Sequence, residues 1–170
     1  MPISQIVTNS IANGAVIAAD LAAGAALSNL GSSQLADANM APGSVIQVVS
    51  TSSAVNISTT GTNILSLTIT PLSASSRIYL IGNCTVSSNP GSNAYGVLAL
   101  VRNSSTLIQA YSGFNSAIFT AIPITVQFVD SPSTTSTTTY ILSLSRGSGG
   151  TSSVTTSGEA YSLTAMEIAA

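Results

Sequence analysis

Apolar and polar positions alternate through most of the chain beyond residue 45, in short runs. Ile122, Ile124, Val126 and Phe128 fall on one side of an extended segment, against Pro123, Thr125 and Gln127 on the other. Tyr140, Leu142 and Leu144 share a second face, against Thr139, Ser143 and Ser145, and Leu65, Leu67 and Ile69 form a third. A period of two is the mark of a strand buried on one side. The pattern predicts strands over 45–52, 63–70, 76–87, 94–102, 105–112, 121–129, 138–145 and 160–168. Turn chemistry separates several of them: Asn89-Pro90-Gly91-Ser92, Asp130-Ser131-Pro132-Ser133 and Arg146-Gly147-Ser148-Gly149-Gly150. Eight strands with almost no helical periodicity predict an all-β fold, an eight-stranded jelly-roll-like β-sandwich. Thr and Ser dominate the outward positions, where they favour extended backbone without adding charge.

Strand 94–102 departs from the alternation. Val97, Ala99 and Val101 lie on one side and Leu98 and Leu100 on the other, so both faces are apolar. In a small sandwich such a strand needs a second covering surface. A folded-over loop and a neighbouring subunit both supply one. The candidate residues of a subunit interface are therefore Val97, Leu98, Leu100 and Val101.

The first 45 residues read differently. A motif recurs: a small polar residue, an aliphatic one, Ala, any residue, Gly, then two small or apolar residues. It appears as Ser10-Ile11-Ala12-Asn13-Gly14-Ala15-Val16, Asp20-Leu21-Ala22-Ala23-Gly24-Ala25-Ala26 and Asn39-Met40-Ala41-Pro42-Gly43-Ser44-Val45. Repeats this short cannot bury an apolar face alone and become stable against neighbours or other chains. The polar opener of each copy suits the cap of a short helical turn, best at Ala19 to Ala23, which Gly24 would end. Pro42-Gly43 marks a boundary. The expectation is a thin Ala/Gly-rich arm or stem over residues 1–44, for attachment and assembly, and a sandwich domain over 45–170. Attachment candidates are Ile11, Gly14, Val16, Leu21, Gly24, Met40 and Gly43.

Charge is nearly absent. Three Arg, no Lys and five acidic residues leave a net charge of −2, and 5% of the chain is charged. Ordinary soluble domains carry about a quarter. Nothing here neutralises a row of phosphates, so nucleic acid is not an expected partner. A neutral surface of Ser, Thr and Asn is poorly protected against self-association, and cover by identical subunits is the simplest account. The most apolar stretch, Gly14 to Leu27, is interrupted by Asp20 and is shorter than the roughly 20 residues a membrane span needs. Met1 to Ser10 holds no Lys or Arg, so no signal-peptide n-region is expected. A lone Cys84 excludes an internal disulfide framework and, flanked on its face by Ile78, Leu80 and Val86, reads as a buried structural thiol.

Candidate chemistry is sparse. The absence of His removes imidazole triads and His metal ligands. One Cys without a base is a poor nucleophile. Gly147-Ser148-Gly149-Gly150 lacks the Lys and the strand-to-helix setting of a phosphate loop and reads as a turn. Asp130, Glu159 and Glu167 are the only acids of the sandwich, and the carboxylate pair of a glycosidase would have to come from them. The simpler expectations are that Asp130 bonds amides of its own turn, that Glu159 sits in a loop, and that Glu167 pairs with Arg77 or Arg102. Tyr79, Tyr95, Tyr111, Tyr161 and Phe114 are candidates for stacking on a sugar. No catalytic residue, cofactor or metal is expected. The sequons at Asn56, Asn83 and Asn103 are what a Ser/Thr-rich chain produces by chance.

The stretch Ile11-Ala12-Asn13-Gly14-Ala15-Val16, with Asp20-Leu21-Ala22-Ala23-Gly24-Ala25, resembles N-terminal repeats in fibre proteins of tailed bacteriophages. Ile122-Pro123-Ile124-Thr125-Val126-Gln127-Phe128-Val129-Asp130-Ser131-Pro132, a Ser/Thr loop with Tyr140, and the ending Leu163-Thr164-Ala165-Met166-Glu167-Ile168 resemble the C-terminal knobs of such fibres. The resemblance implies a homotrimeric jelly-roll knob on a thin N-terminal stem, made in the host cytoplasm and displayed on a virion exterior. It makes other capsid or tail proteins the implied partners. A capsid decoration or cement protein is the favoured role, and a short tail fibre binding a host-surface receptor or glycan the alternative.

Overall fold

The computed structural model describes residues 40–59, 61–88, 95–113, 120–147, 154–156 and 160–170 of the 170. The expected attachment residues Ile11, Gly14, Val16, Leu21 and Gly24, the expected turn at 19–23, Phe114 and Glu159 lie outside the described residues. The strands are β1 (Val45–Ser53), β2 (Ser58–Thr59), β3 (Gly61–Ile69), β4 (Arg77–Ser88), β5 (Tyr95–Arg102), β6 (Ser105–Gly113), β7 (Thr120–Asp130), β8 (Thr138–Arg146), β9 (Val154–Thr156) and β10 (Tyr161–Ile168). All eight expected strands are present. The alternation missed only β2 and β9, each too short to carry a period.

Pairing follows one rule. Among the eight long strands the first pairs with the last, β1 with β10, and the second with the next to last, β3 with β8. In the same way β4 pairs with β7 and β5 with β6, all antiparallel. The chain from residue 45 is thus one long hairpin, rolled so that alternate pairs fall into opposite sheets. One sheet runs β1-β10-β4-β7 and the other β3-β8-β5-β6. This nested order is the jelly roll. The two short strands extend the first sheet. β9 takes over from β10 beside the end of β4, and β2 pairs with β9 as β1 does with β10.

Between the sheets lies a core built by alternation. Ile78, Leu80, Cys84 and Val86 of β4, with Ile124 and Val126 of β7, face Leu98, Leu100, Tyr140, Leu142 and Leu144 of the second sheet. Tyr161, Leu163 and Ala165 complete the first sheet's share. In β3 the register shifts between Asn63 and Leu65, and Ile64 and Leu65 are both buried. A bulge does this, placing two consecutive side chains on the inner side.

Gly82 interrupts the inner row of β4, and its lack of a side chain is what brings the sheets close there. A Cβ at Gly82 would stand 2.5 Å from Leu142 Cδ1, 3.3 Å from Val126 Cγ2 and 3.4 Å from Leu100 Cδ2. Two leucines of the facing sheet already fill that space. β5 and β6 are joined by Asn103 and Ser104, both at positive φ (46° and 75°), the type I′ geometry that suits a two-residue hairpin.

Candidate assembly surface

Of the three acids considered for chemistry, the two that are described, Asp130 and Glu167, are both committed to structure. Asp130 closes β7 on the same side as Ile124 and Val126, so its carboxylate points between the sheets and not into the following turn. Both of its oxygens accept from Arg102 Nη1 at 2.8 Å, and Oδ2 also accepts from the Tyr140 hydroxyl at 2.6 Å. Arg102 and Tyr140 are cross-strand neighbours in the second sheet, so this trio ties one sheet to the other at one end. The expectation that Asp130 serves its own turn is corrected by the strand's alternation. Burial, then the bond to Asp130, pushes the Tyr140 phenol pKa well above its ordinary value.

Glu167 is fully buried and pairs with neither Arg77 nor Arg102. Arg77 lies opposite Ile168 in the ladder, on the other side of the sheet from Glu167. Arg102 is taken by Asp130. Instead Glu167 Oε2 accepts from Gln47 Nε2 at 2.9 Å, and Oε1 accepts from the backbone N–H of Leu72 at 2.7 Å and of Ser73 at 3.4 Å. Gln47 also donates to the Thr70 carbonyl at 3.1 Å. Glu167 therefore anchors the β3–β4 connection to the β1–β10 ladder.

Burial pushes the Cys84 thiol up to about 11, far from a reactive thiolate at neutral pH. Among the described residues, no three His, Cys, Asp or Glu side chains cluster as a metal site would require. No described helix is long and apolar enough to cross a membrane. The tyrosines proposed for sugar stacking do not line one cleft. Tyr161 is in the core, and Tyr79 is half-buried on the first sheet, donating to Gln127 Oε1 at 2.6 Å. Tyr95 and Tyr111 form a pair on the second sheet, with ring centroids 5.9 Å apart and planes tilted by 50°. Tyr111 is 63% exposed and its hydroxyl donates to Gln109 Oε1.

Of the remaining expected site residues, Met40 and Gly43 belong to the compact unit that runs from Met40 to Ala170. Ala41-Pro42-Gly43-Ser44 is a β-turn closed by Ser44 N–H donating to Ala41 O at 3.0 Å, with Gly43 at φ +86°. Pro and Gly stand where a type II turn requires them. Gly43 N–H donates to Ala169 O at 2.8 Å and Ala169 N–H to Ser44 O at 2.9 Å. Hydrogen bonding to the end of the chain thus reaches back to Gly43.

The four residues singled out on β5 divide between its faces. Leu98 and Leu100 are fully buried in the protomer's own core, while Val97 and Val101 lie on the outer side. There Val97 and Ala99 are each only 6% exposed, flanked in register by Tyr111 and Ser145, and by Gln109 and Ser143. Little apolar surface is left on this strand.

More is left on the outer face of the other sheet. The ladders place Val48 opposite Met166, Met166 opposite Tyr79, and Tyr79 opposite Val129. These four form one row across four strands, with Val48 58% and Val129 47% exposed. Ile81 and Ile168, each half-buried, extend the row along β4 and β10. Toward the far end the same face turns polar, with Ser52, Ser162, Asn83 and Thr125 in register. Sequence reading missed this row, although a signal existed. Val48-Val49, Phe128-Val129 and Ala165-Met166 are consecutive apolar pairs in alternating strands, so one member of each must face outward.

No protein-family model and no curated protein matches the chain. Among solved structures it is similar to the VP2 subviral particle of infectious bursal disease virus, with 16% identity and a TM-score of 0.42 over 72% of this chain and 32% of that one. It is also similar to a structure of the Gx strain of that virus, with 15% identity and a TM-score of 0.40 over 73% and 37% of the two chains. The chain spans about a third of the length of the structures it matches.

Proposed function

We propose that this chain is a non-enzymatic structural protein on the exterior of a tailed-phage virion, assembled as a homotrimer and anchored by residues 1–44. The observation that carries the reading is a jelly roll whose described acids, Asp130 and Glu167, serve as internal ties and whose described outer faces are almost free of charge. Such a surface suits cover by other protein. Mechanically, each ladder closes within its sheet, and the Arg102–Asp130–Tyr140 tie resists separation of the sheets at one end. Three copies multiply modest arm contacts through effective concentration, so a trimer holds a particle that one arm would leave. Capsid decoration or cement is the favoured role. The exposed Tyr111, paired with the half-buried Tyr95, favours a second reading, a short tail fibre whose knob stacks on a host-surface glycan.

Immunogold labelling of intact particles tests the proposal: label on the head supports decoration and label on the tail supports the fibre. Deleting residues 1–39, which spares the turn bonded to Ala169, should abolish attachment in both cases. Particles lacking a decoration protein should lose thermal or osmotic resistance, whereas particles lacking a fibre should lose adsorption with capsids unchanged. Purified particles that carry none of this protein would overturn the reading.

A further inference from the structure

We infer that the outer face of the β1-β10-β4-β7 sheet, centred on the row Val48–Met166–Tyr79–Val129, is the surface on which copies of this chain meet. The inference rests on the homotrimer reading and adds the face that does the work. The apolar strand that attracted attention in the sequence has little to offer a neighbour. Leu98 and Leu100 are spent in the protomer's core, and Val97 and Ala99 are already shielded beside their cross-strand neighbours. By contrast, Val45, Val48 and Val129 are three of the six large exposed hydrophobic side chains among the described residues, and all three belong to strands of this sheet.

The chemistry of the face selects its occupant. Arg77, at the Ile168 end, is the one charged side chain among the outward residues paired across these strands. A partner presenting Asp, Glu, Lys or Arg to the apolar row would bury those charges without counterparts, which is strongly unfavourable. The occupant must therefore be an uncharged β surface with its own apolar row and hydroxyl rim. A second copy of this chain meets that description, with only 5% charged residues and Ser and Thr along its outward positions.

Size agrees. Four strands about 4.8 Å apart and some nine residues long cover roughly 600 Å² in projection, more once the pleat is counted. That is close to the roughly 800 Å² per partner of a stable interface. The row supplies the apolar centre, and Ser50, Ser52, Thr125 and Ser162 supply the polar rim such interfaces have. Turned toward a three-fold axis, the row from each copy would meet the other two.

Light scattering on the size-fractionated full-length chain tests this. Wild type should run at three times the 16.9 kDa of one chain. Val48→Lys combined with Val129→Lys should dissociate it at least ten-fold more readily, with an unchanged far-UV spectrum. Ser52→Lys combined with Thr125→Lys, at the polar end of the same face, should shift it far less. A wild-type trimer unaffected by the valine pair would sink the assigned face while sparing the trimer. A monomeric wild type would sink both. Should the valine variant fail to fold, peroxide oxidation of Met166 in wild type decides. Oxidation that speeds up several-fold on dilution supports the face, and oxidation independent of concentration overturns it.

Discussion

The Arg102–Asp130–Tyr140 tie makes a quantitative prediction about how the two sheets are held. Asp130→Asn keeps size and shape but removes the carboxylate that accepts both 2.8 Å contacts from Arg102. Breaking a buried ion pair by removing one partner costs about 3–5 kcal/mol, because the other charge is left without compensation. The Arg102 side chain is 30% exposed, so water recovers part of that loss. We therefore expect about 2–3 kcal/mol. Tyr140→Phe leaves the ion pair intact and removes one hydroxyl bonded to a charged group, a loss of about 1.5–2 kcal/mol. Because the phenol and the guanidinium share one carboxylate, the double variant should lose less than the sum of the two. Urea unfolding followed by far-UV circular dichroism measures all three, at one fixed protein concentration because assembly adds to apparent stability. The chain has no Trp, so dichroism is the cleaner probe. A loss under about 0.5 kcal/mol for Asp130→Asn would refute the view that this tie holds the sandwich end. Full additivity would refute the shared carboxylate.

Four further outcomes follow from the packing. Gly82→Val should destabilise by about 3 kcal/mol and Gly82→Ala by less, since even a Cβ meets Leu142 and Leu100; a Tm within 2 °C or so of wild type for the valine variant would contradict the close approach. Glu167→Met keeps the side chain's length but removes the oxygen that accepts from both amides; hydrogen exchange at Leu72 and Ser73 N–H should accelerate at least ten-fold, and unchanged protection would remove Glu167 as the anchor. Cys84 should resist iodoacetamide at pH 8 while folded and react once unfolded. The same raised pKa has a definite sign in stability: the neutral thiol is favoured in the fold, so this contribution is complete below about 9 and is lost as pH rises toward about 11. Cys84→Ala should flatten that alkaline decline, and an identical decline in the variant would show that the thiol is not its source.

What the sequence by itself determined is local. Strand positions and inward faces were legible at β3, β7 and β8 because side-chain direction alternates residue by residue and needs no knowledge of the partner strand. The Asn103-Ser104 connection could be placed for the same reason, although its positive φ angles could not. The jelly-roll class followed from the number and length of the strands.

Only the tertiary structure decided which distant groups meet. Asp130 reaches an arginine 28 residues away, and Glu167 bonds Leu72 across 95 residues and Gln47 across 120. Those partners are set by strand order, since pairing first with last places β1 beside β10. Gly82 read as an ordinary strand residue until the facing leucines were in place. The surplus apolar row took shape in the same way, because Val48, Met166, Tyr79 and Val129 become neighbours only through three separate registers. Alternation is a property of the backbone within each strand, whereas register and layer order arise from the folding of the whole chain.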